Sequence, residues 1–206
     1  YEIFNKKRKK LYGENTNIIG PKTVYGFTKL SSEMLIEEYS YSNNIEYIIN
    51  RCGLVYGEGQ YGKVEQGLVS LWLWKHLNNL NLSYLGFSGN GEQIRDALYI
   101  DDLCKLINLQ IKKFKKSKNK IYCVGGGVKN KFSLSRLTSI CQKITKHKLN
   151  IKKIKKTSIY DIPYYVTDLK KVKKIFNWYP KTSINEGMNN TYKWMKENKL
   201  KIRNFF

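Results

Sequence analysis

Tyr25 and Lys29, in the run Tyr25-Gly26-Phe27-Thr28-Lys29, stand four residues apart where the sequence turns helical. On a helix that spacing puts both side chains on one face, within reach of one substrate atom. A phenol with an ordinary pKa of about 10 is a poor base at neutral pH. An ammonium group beside it favours the phenolate and brings it toward the working range. Such a pair can take a proton from an alcohol while a hydride leaves the same carbon. The spacing alone is not distinctive in a chain with 16 tyrosines and 38 lysines and arginines. Its bland reading is a solvated helix face, and the surrounding residues decide.

The pair needs a helix to hold it and a strand to aim it. Pro21 leads into a helix predicted over Ser32 to Tyr41, whose apolar positions Met34, Leu35 and Tyr39 keep helical spacing. Ile45 to Asn50 is a short β-branched run that reads as a buried parallel strand. It ends in Arg51-Cys52-Gly53-Leu54-Val55-Tyr56-Gly57, followed by a glycine-rich loop to Gly67. A helix over Leu68 to Leu77 comes next, then a strand over Asn81 to Phe87, closed by a hairpin turn at Gly89-Asn90-Gly91. Gln93 to Ile100 leads into a helix opening near Asp101 and Asp102, carboxylates suited to its positive end. Ile121 to Val124 reads as a strand stopped by Gly125-Gly126-Gly127. Ser133 or Ser135 caps a helix to Lys146, and Ile151 to Lys156 is basic and strand-like. Asp168 caps a helix to Phe176, and Ile184 to Lys196 is the last helix. Residues 1–20, with the basic run Lys6 to Lys10, read as a surface loop. Helices and strands alternate, so the class is α/β.

Composition narrows the function classes. With 41% hydrophobic and 14% aromatic residues the chain is that of a folded protein. A net charge of +22 invites a nucleic-acid reading. Nearly all of that charge is lysine, however, and arginine, which reads guanine edges and forks onto phosphates, occurs only at positions 8, 51, 95, 136 and 203. Lysine, asparagine, isoleucine and tyrosine are abundant together along the whole chain, which reads as a codon bias rather than a nucleic-acid footprint. Cys52, Cys104, Cys123 and Cys141 form no C-x-x-C pair, and His76 and His147 are far apart in sequence. The expectation is therefore buried free thiols in a reducing compartment and no zinc site. No apolar stretch reaches the about 18 residues of a membrane span, and no signal peptide opens the chain, so the sequence reads as cytoplasmic.

Tyr25 and Lys29, then a helix, a strand, Arg51 and Tyr56-Gly57, are the first of five ordered segments that point one way. Arg95-Asp96-Ala97-Leu98-Tyr99-Ile100-Asp101-Asp102-Leu103 is similar to an R-D-x-x-x-V-x-D-L segment. Tyr122 to Gly126 is similar to a Y-N-V-G-G strand end. Asp168 followed by Phe176-Asn177-Trp178-Tyr179-Pro180 resembles D…L-G-W-x-P, and Gly187 to Trp194 completes a terminal helix. From residue 22 to 198 the chain thus resembles the extended short-chain dehydrogenase/reductase superfamily, in particular its NAD-dependent nucleotide-sugar epimerases and dehydratases. Gly59-Gln60-Tyr61-Gly62-Lys63-Val64-Glu65-Gln66-Gly67 resembles the CDP-tyvelose (CDP-paratose) 2-epimerase branch.

The resemblance implies roles. Tyr25 would be the catalytic acid/base, and Lys29 would assist its ionisation and bond the nicotinamide ribose. Cys52, Gly53 and Leu54 would line the nicotinamide pocket of a bound NAD. Arg95 would bind the substrate diphosphate, which suits a forked guanidinium; its bland alternative is an ion pair with Asp96, Asp101 or Asp102. Gln66 and Gly67 open a helix whose free N–H groups would accept substrate phosphate, or simply cap it. Asp161 occupies the place of the family's Arg-x-x-Asp, with Ser158 at the arginine position and Lys155 or Lys156 as substitutes. Tyr99 and Asp102 would hold a turn and cap a helix.

The implied fold is the C-terminal part of a Rossmann-like NAD(P)-binding fold plus a small α/β substrate-binding domain. Residues 1–57 would be the Rossmann part, and 58–206 mainly the substrate domain, with some segments returning. The family's G-x-x-G-x-x-G pyrophosphate turn is matched neither by Gly125-Gly126-Gly127 nor by Gly86 to Gly91, and its catalytic Ser/Thr lies upstream of Tyr25. The chain therefore reads as the C-terminal part of a longer enzyme, inactive alone. The complete enzyme is expected to be an epimerase acting on a nucleotide-diphosphate sugar, as a homo-oligomer. A 4,6-dehydratase or 4-epimerase, and a non-catalytic nucleotide-sugar or polyanion-binding remnant, are the alternatives.

Overall fold

The computed structural model describes residues 10–64 and 66–206, so the expected loop over 1–20 falls partly outside the described residues. Where it is described it is more than a loop. Tyr12 bridges to Thr167 in parallel, donating its N–H to the Val166 carbonyl and accepting from the Asp168 N–H.

The first helix, α1, spans Val24–Asn43 and begins eight residues before the predicted start. Thr23 sets that start: its hydroxyl accepts the Gly26 N–H at 3.0 Å, satisfying one of the helix's orphan donors. Asn44, in the left-handed region, ends it. Strand β1 (Ile48–Cys52) starts three residues later than expected. Ile45 still gives its N–H to the Ser40 carbonyl, and Tyr47 gives its own to the Asn119 side chain. The strand pairs in parallel with β5 (Lys120–Val124), from Ile48 opposite Lys120 to Cys52 opposite Val124. A second strand, β2 (Leu54–Tyr56), runs parallel to β4 (Ile94–Tyr99), whose start pairs antiparallel with β6 (Lys131–Ser133).

The hairpin expected at Gly89-Asn90-Gly91 does not form. Strand β3 (Leu82–Leu85) lies parallel to β7 (Ile151–Ile154) in a separate two-stranded sheet, while β4 sits between β2 and β6. Gly86, Gly89 and Gly91 all take positive φ, and together they swing the chain from one sheet into the other. At Gly89 a side chain would meet Lys153 Cβ at 2.8 Å, so the turn is pressed onto β7 where a hairpin would leave it free.

The remaining helices are α2 (Leu68–Leu77), α3 (Ile100–Lys112), the single turn α4 (Phe114–Ser117), α5 (Leu134–Thr145), α6 (Lys170–Phe176), α7 (Ile184–Glu197) and the short α8 (Lys199–Ile202). Ser133 caps α5 through the Arg136 N–H at 3.1 Å, and Asp168 accepts the Lys170 N–H at the head of α6. Two hydrophobic clusters hold these elements. One gathers Tyr56, Leu73, Leu137, Met188 and Met195 under β2, α2, α5 and α7. The other gathers Leu98, Leu106, Tyr122, Val124, Val172 and Phe176 around β5, α3 and α6. Cys123 and Cys141 are buried as expected; Cys52, at the open end of β1, and Cys104, on the outer face of α3, are exposed. Among the described residues no helix is long and apolar enough to cross a membrane.

Candidate active site

Tyr25 and Lys29 lie in the first two turns of α1, and the Lys29 ammonium stands 5.5 Å from the centroid of the Tyr25 ring. The two side chains therefore share one face, and both are exposed, Tyr25 at 65%. Helix α1 buries none of its residues. Its Phe27, Leu30 and Met34 instead line an open apolar groove of about 700 Å³ with Ile18, Ile19 and Ile121. A polar fork ties the helix to the sheet. Arg51 on β1 donates Nε to both Glu33 carboxylate oxygens at 3.0 Å and Nη2 to one of them at 2.7 Å. Sequence reading did not single out Glu33. Its signal was present, since it stands one turn beyond Lys29 and its partner is one of few arginines.

Cys52, Gly53 and Leu54 form the link from β1 into β2. The Gly53 N–H donates to the Val124 carbonyl at 2.7 Å, so the carboxyl ends of the parallel pair β1 and β5 close together. In open parallel sheets that end is where ligands sit. Glycine is required on the β5 side: a Cβ at Gly126 would fall 2.1 Å from the Ala97 carbonyl oxygen, and β4 packs there only because no side chain intervenes. Beneath, Asp96 is fully buried and accepts the Gly127 N–H at 2.7 Å. Burial pushes its carboxyl above the usual carboxylate range, against that bond.

Arg95 and Asp161, both expected at the substrate, come together. Arg95 Nη2 meets Asp161 Oδ1 at 2.5 Å, and Nη1 donates to the Ile94 carbonyl at 2.7 Å. Arg95 does form an ion pair, but not with the three carboxylates named for the bland alternative. Asp96 serves the Gly127 turn. Asp102 accepts the Lys181 and Thr182 N–H groups at 3.0 and 2.8 Å, so it holds the approach to α7 and does not cap its own helix. Asp101 is exposed. Burial lowers the Arg95 pKa from its ordinary value, and Asp161 opposes that shift. Tyr99 donates its hydroxyl to both Glu58 oxygens, at 2.6 and 2.7 Å, which holds a turn as expected.

Gln66 and Gly67 lie at the head of α2. Gln66 closes a tight turn with Lys63 through two backbone hydrogen bonds, and Gly67 takes a left-handed φ of 77° with no side chain capping the helix. The loop before it, Gly57-Glu58-Gly59-Gln60-Tyr61-Gly62, has a G-x-G-x-x-G spacing after a strand. It is not a phosphate cradle here. A Cβ on Gly62 would meet the Leu71 backbone nitrogen at 2.3 Å, and Gln60 is tied to the Val55 carbonyl and the Ser70 hydroxyl. The helix opens only at Leu68, beyond the third glycine. The histidines, distant in sequence, meet in space: His147 Nδ1 lies 2.7 Å from the His76 carbonyl oxygen. Among the described residues no group of three or more His, Cys, Asp or Glu is placed to hold a metal.

The family model for the NAD dependent epimerase/dehydratase family matches residues 2–125. A protein of Methanocaldococcus jannaschii, described as a candidate UDP-glucose 4-epimerase, is 33% identical over 186 residues, covering 87% of this chain and 55% of the relative. The CDP-paratose 2-epimerase of Salmonella typhi is 25% identical over 173 residues, covering 82% and 51%. Among solved structures, a mutant UDP-glucuronic acid 4-epimerase of Bacillus cereus, in complex with a fluorinated UDP-glucuronic acid and NAD, aligns with a TM-score of 0.79 at 25% identity, covering 95% of this chain and 59% of that one. The chain spans about half the length of the curated relatives it matches. With its Rossmann-like parallel strands and small α/β region, the chain belongs to the NAD-dependent epimerase/dehydratase family.

Proposed function

We propose that this chain is the acid/base and substrate-binding part of an NAD-dependent nucleotide-sugar epimerase. The observation that carries the reading is the Tyr25–Lys29 pair, exposed on one face of a helix that Arg51 and Glu33 tie to β1. The residues present suit the nicotinamide end of the cofactor. An exposed phenol and ammonium would serve an alcohol and a ribose, and the parallel strands β1 and β5 end together at Cys52 and Val124, the end of such a pair where ligands sit. When bound, NAD would accept a hydride from a sugar carbon and return it to the opposite face, leaving no net redox change. Tyr25 would take the hydroxyl proton and give it back, Lys29 would favour the ionised phenol and bond the ribose, and Cys52 to Leu54 would border the ring. Arg95, oriented by Asp161, would grip the diphosphate, with the Gln66–Gly67 end of α2 offering N–H donors.

The domain reading goes with this. Residues 1–57 would serve the cofactor, with β5, α3 and α6 returning to them, and the rest would serve the sugar nucleotide; the two separate hydrophobic clusters support that division. No segment of the 206 residues has the G-x-x-G-x-x-G spacing, so by themselves they should bind NAD weakly and turn nothing over. Micromolar NAD binding to these residues alone, seen by calorimetry, would refute this.

Two readings of the epimerised carbon have support. The Gly59 to Gly67 stretch and the Salmonella relative favour C2 of a CDP-sugar, and the Methanocaldococcus relative favours C4 of a UDP-sugar. The complete gene product, given CDP-tyvelose or CDP-paratose and separately UDP-glucose or UDP-galactose, should equilibrate one pair. Tyr25→Phe should lower turnover at least about a hundredfold with nucleotide-sugar binding retained. Release of water to give a 4-keto-6-deoxy sugar would make it a 4,6-dehydratase. Full activity of Tyr25→Phe would remove the catalytic assignment, and nucleotide-sugar binding without turnover would leave a binding remnant.

A further inference from the structure

The last two residues of the chain fold back onto the loop that opens α2. The Phe206 ring stacks on Trp74 of α2, with centroids 4.5 Å apart and planes 16° from parallel. The Tyr61 ring stacks on Phe205 at 4.8 Å and 24°. Phe206 meets the same Tyr61 edge-on at 5.9 Å, and the Trp194 ring of α7 lies tilted to Tyr61 at 6.5 Å. Tyr61 is thus held by three aromatic rings, two of them from the C-terminal dipeptide. It precedes Gly62, whose missing side chain lets the loop lie against Leu71, and it stands five residues before Gln66. A Cβ at Gly67 would fall 3.0 Å from the Gly62 Cα and 3.2 Å from the Tyr61 carbonyl oxygen, so the Tyr61 end of the loop and the head of α2 are in direct contact.

We propose that Phe205 and Phe206 are positioning residues that clamp Tyr61 and so fix the Gln66–Gly67 head of α2 in the geometry that receives the substrate phosphate. Without the clamp the loop keeps Trp194 against Tyr61, the Glu58–Tyr99 contact, Gln60 through Gly57, Val55 and Ser70, and the Lys63–Gln66 turn. The substrate half of the proposal rests on the epimerase reading above, and the clamp itself does not. Stacked and edge-on aromatic pairs contribute beyond their buried area, so losing the two Phe206 contacts should open the loop at least about fivefold more often.

The test measures hydrogen exchange at the Lys63 and Gln66 amides, which donate across the turn, and calorimetric binding of CDP- and UDP-glucose to the full-length protein. Phe206→Ala should speed exchange at those two amides at least about fivefold, leave α5 amides unchanged, and weaken nucleotide-sugar binding by a similar factor. Phe206→Trp, which restores a ring against Trp74 and Tyr61, should recover both. Phe205→Ala removes only the outer ring, 54% exposed, and serves where Phe206→Ala loosens the whole fold; it should shift the same two amides by a smaller factor. Unchanged exchange in both variants overturns the clamp. Faster exchange with unaltered binding overturns its link to substrate. A wild-type protein that binds neither nucleotide sugar, while Phe206→Ala still speeds exchange at the turn, would sink the epimerase reading and leave the clamp standing.

Discussion

Replacing Glu33 by glutamine removes the charge that Arg51 on β1 uses to hold α1. The substitution keeps the shape of the side chain, so the change is electrostatic. Three N–H···O contacts of 2.7 to 3.0 Å are affected, and the two side chains are only 21% and 18% exposed. A fully exposed pair would contribute about 0.2–1 kcal/mol, and breaking a fully buried one would cost about 3–5 kcal/mol. This pair lies between, near the about 1.5–3 kcal/mol of hydrogen bonds to charged groups. A cost of about 2 kcal/mol is thirtyfold in an equilibrium constant. Where it is felt follows from the packing. Helix α1 buries none of its residues, and helices draw most of their stability from tertiary burial, so the loss should fall on α1 alone. Native-state hydrogen exchange reads this directly: amides within Val24–Asn43 should exchange about thirtyfold faster in Glu33→Gln, and those of α5 and β5 at the wild-type rate. Arg51→Lys, which keeps the charge and loses the fork, should give part of the effect. An equal loss of protection in α5 would show that the fork supports the whole fold, and a change below about threefold in α1 would show that something else holds the helix.

Arg95→Ala should weaken nucleotide-diphosphate sugar binding by about ten- to a hundredfold, with folding retained, as read by calorimetry and thermal melting; unfolding of the variant would assign the Arg95–Asp161 pair to structure. Gly126→Ala drives a methyl group into the Ala97 backbone and should cost about 3 kcal/mol or more, lowering the melting temperature by at least about 6 °C. His76 is fully buried with Nδ1 donating to the Trp72 carbonyl at 2.7 Å, and burial, with His147 nearby, lowers its pKa below the ordinary imidazole value. The unfolded chain therefore binds this proton more readily than the folded one, so stability is held above about pH 6.5 and falls as pH drops below it, by up to about 1.4 kcal/mol per unit. Melting curves between pH 7.5 and 5 should show that slope, and His76→Gln should flatten it.

Most elements were legible because their signals are local. Ser133 and Asp168 are cap-type residues placed just before their helices, and the β-branched run from Ile45 to Asn50 contains the start of a strand. What the sequence did not show was pairing between distant segments. The turn at Gly89-Asn90-Gly91 has the composition of a hairpin, and composition cannot say that β3 will find β7 some seventy residues later. The start of α1 was misplaced for a different reason. Met34, Leu35 and Tyr39 carry the apolar rhythm from Ser32 onward although none of α1 is buried, and the true start of the helix is set by the Thr23 cap instead.

The same distinction runs through the site. Tyr25 and Lys29 could be read together because one helical turn joins them, whatever the rest of the chain does. Arg95 and Asp161 were each named, but separately, because they lie 66 residues apart and meet only when the segment after β7 folds back beside β4. Their pairing changes the chemistry expected of Arg95. An arginine already held by a carboxylate is pre-oriented, and it has little freedom left to lose when a diphosphate arrives. It must, however, share its charge with Asp161. An Asp161→Asn variant should therefore separate the two effects. If orientation dominates, binding weakens although a negative charge has been removed. If charge competition dominates, binding tightens and becomes more salt-dependent. The two hydrogen bonds that Arg95 spends on Asp161 and the Ile94 carbonyl favour the first outcome, because a guanidinium released from both would lose the plane in which its fork is presented.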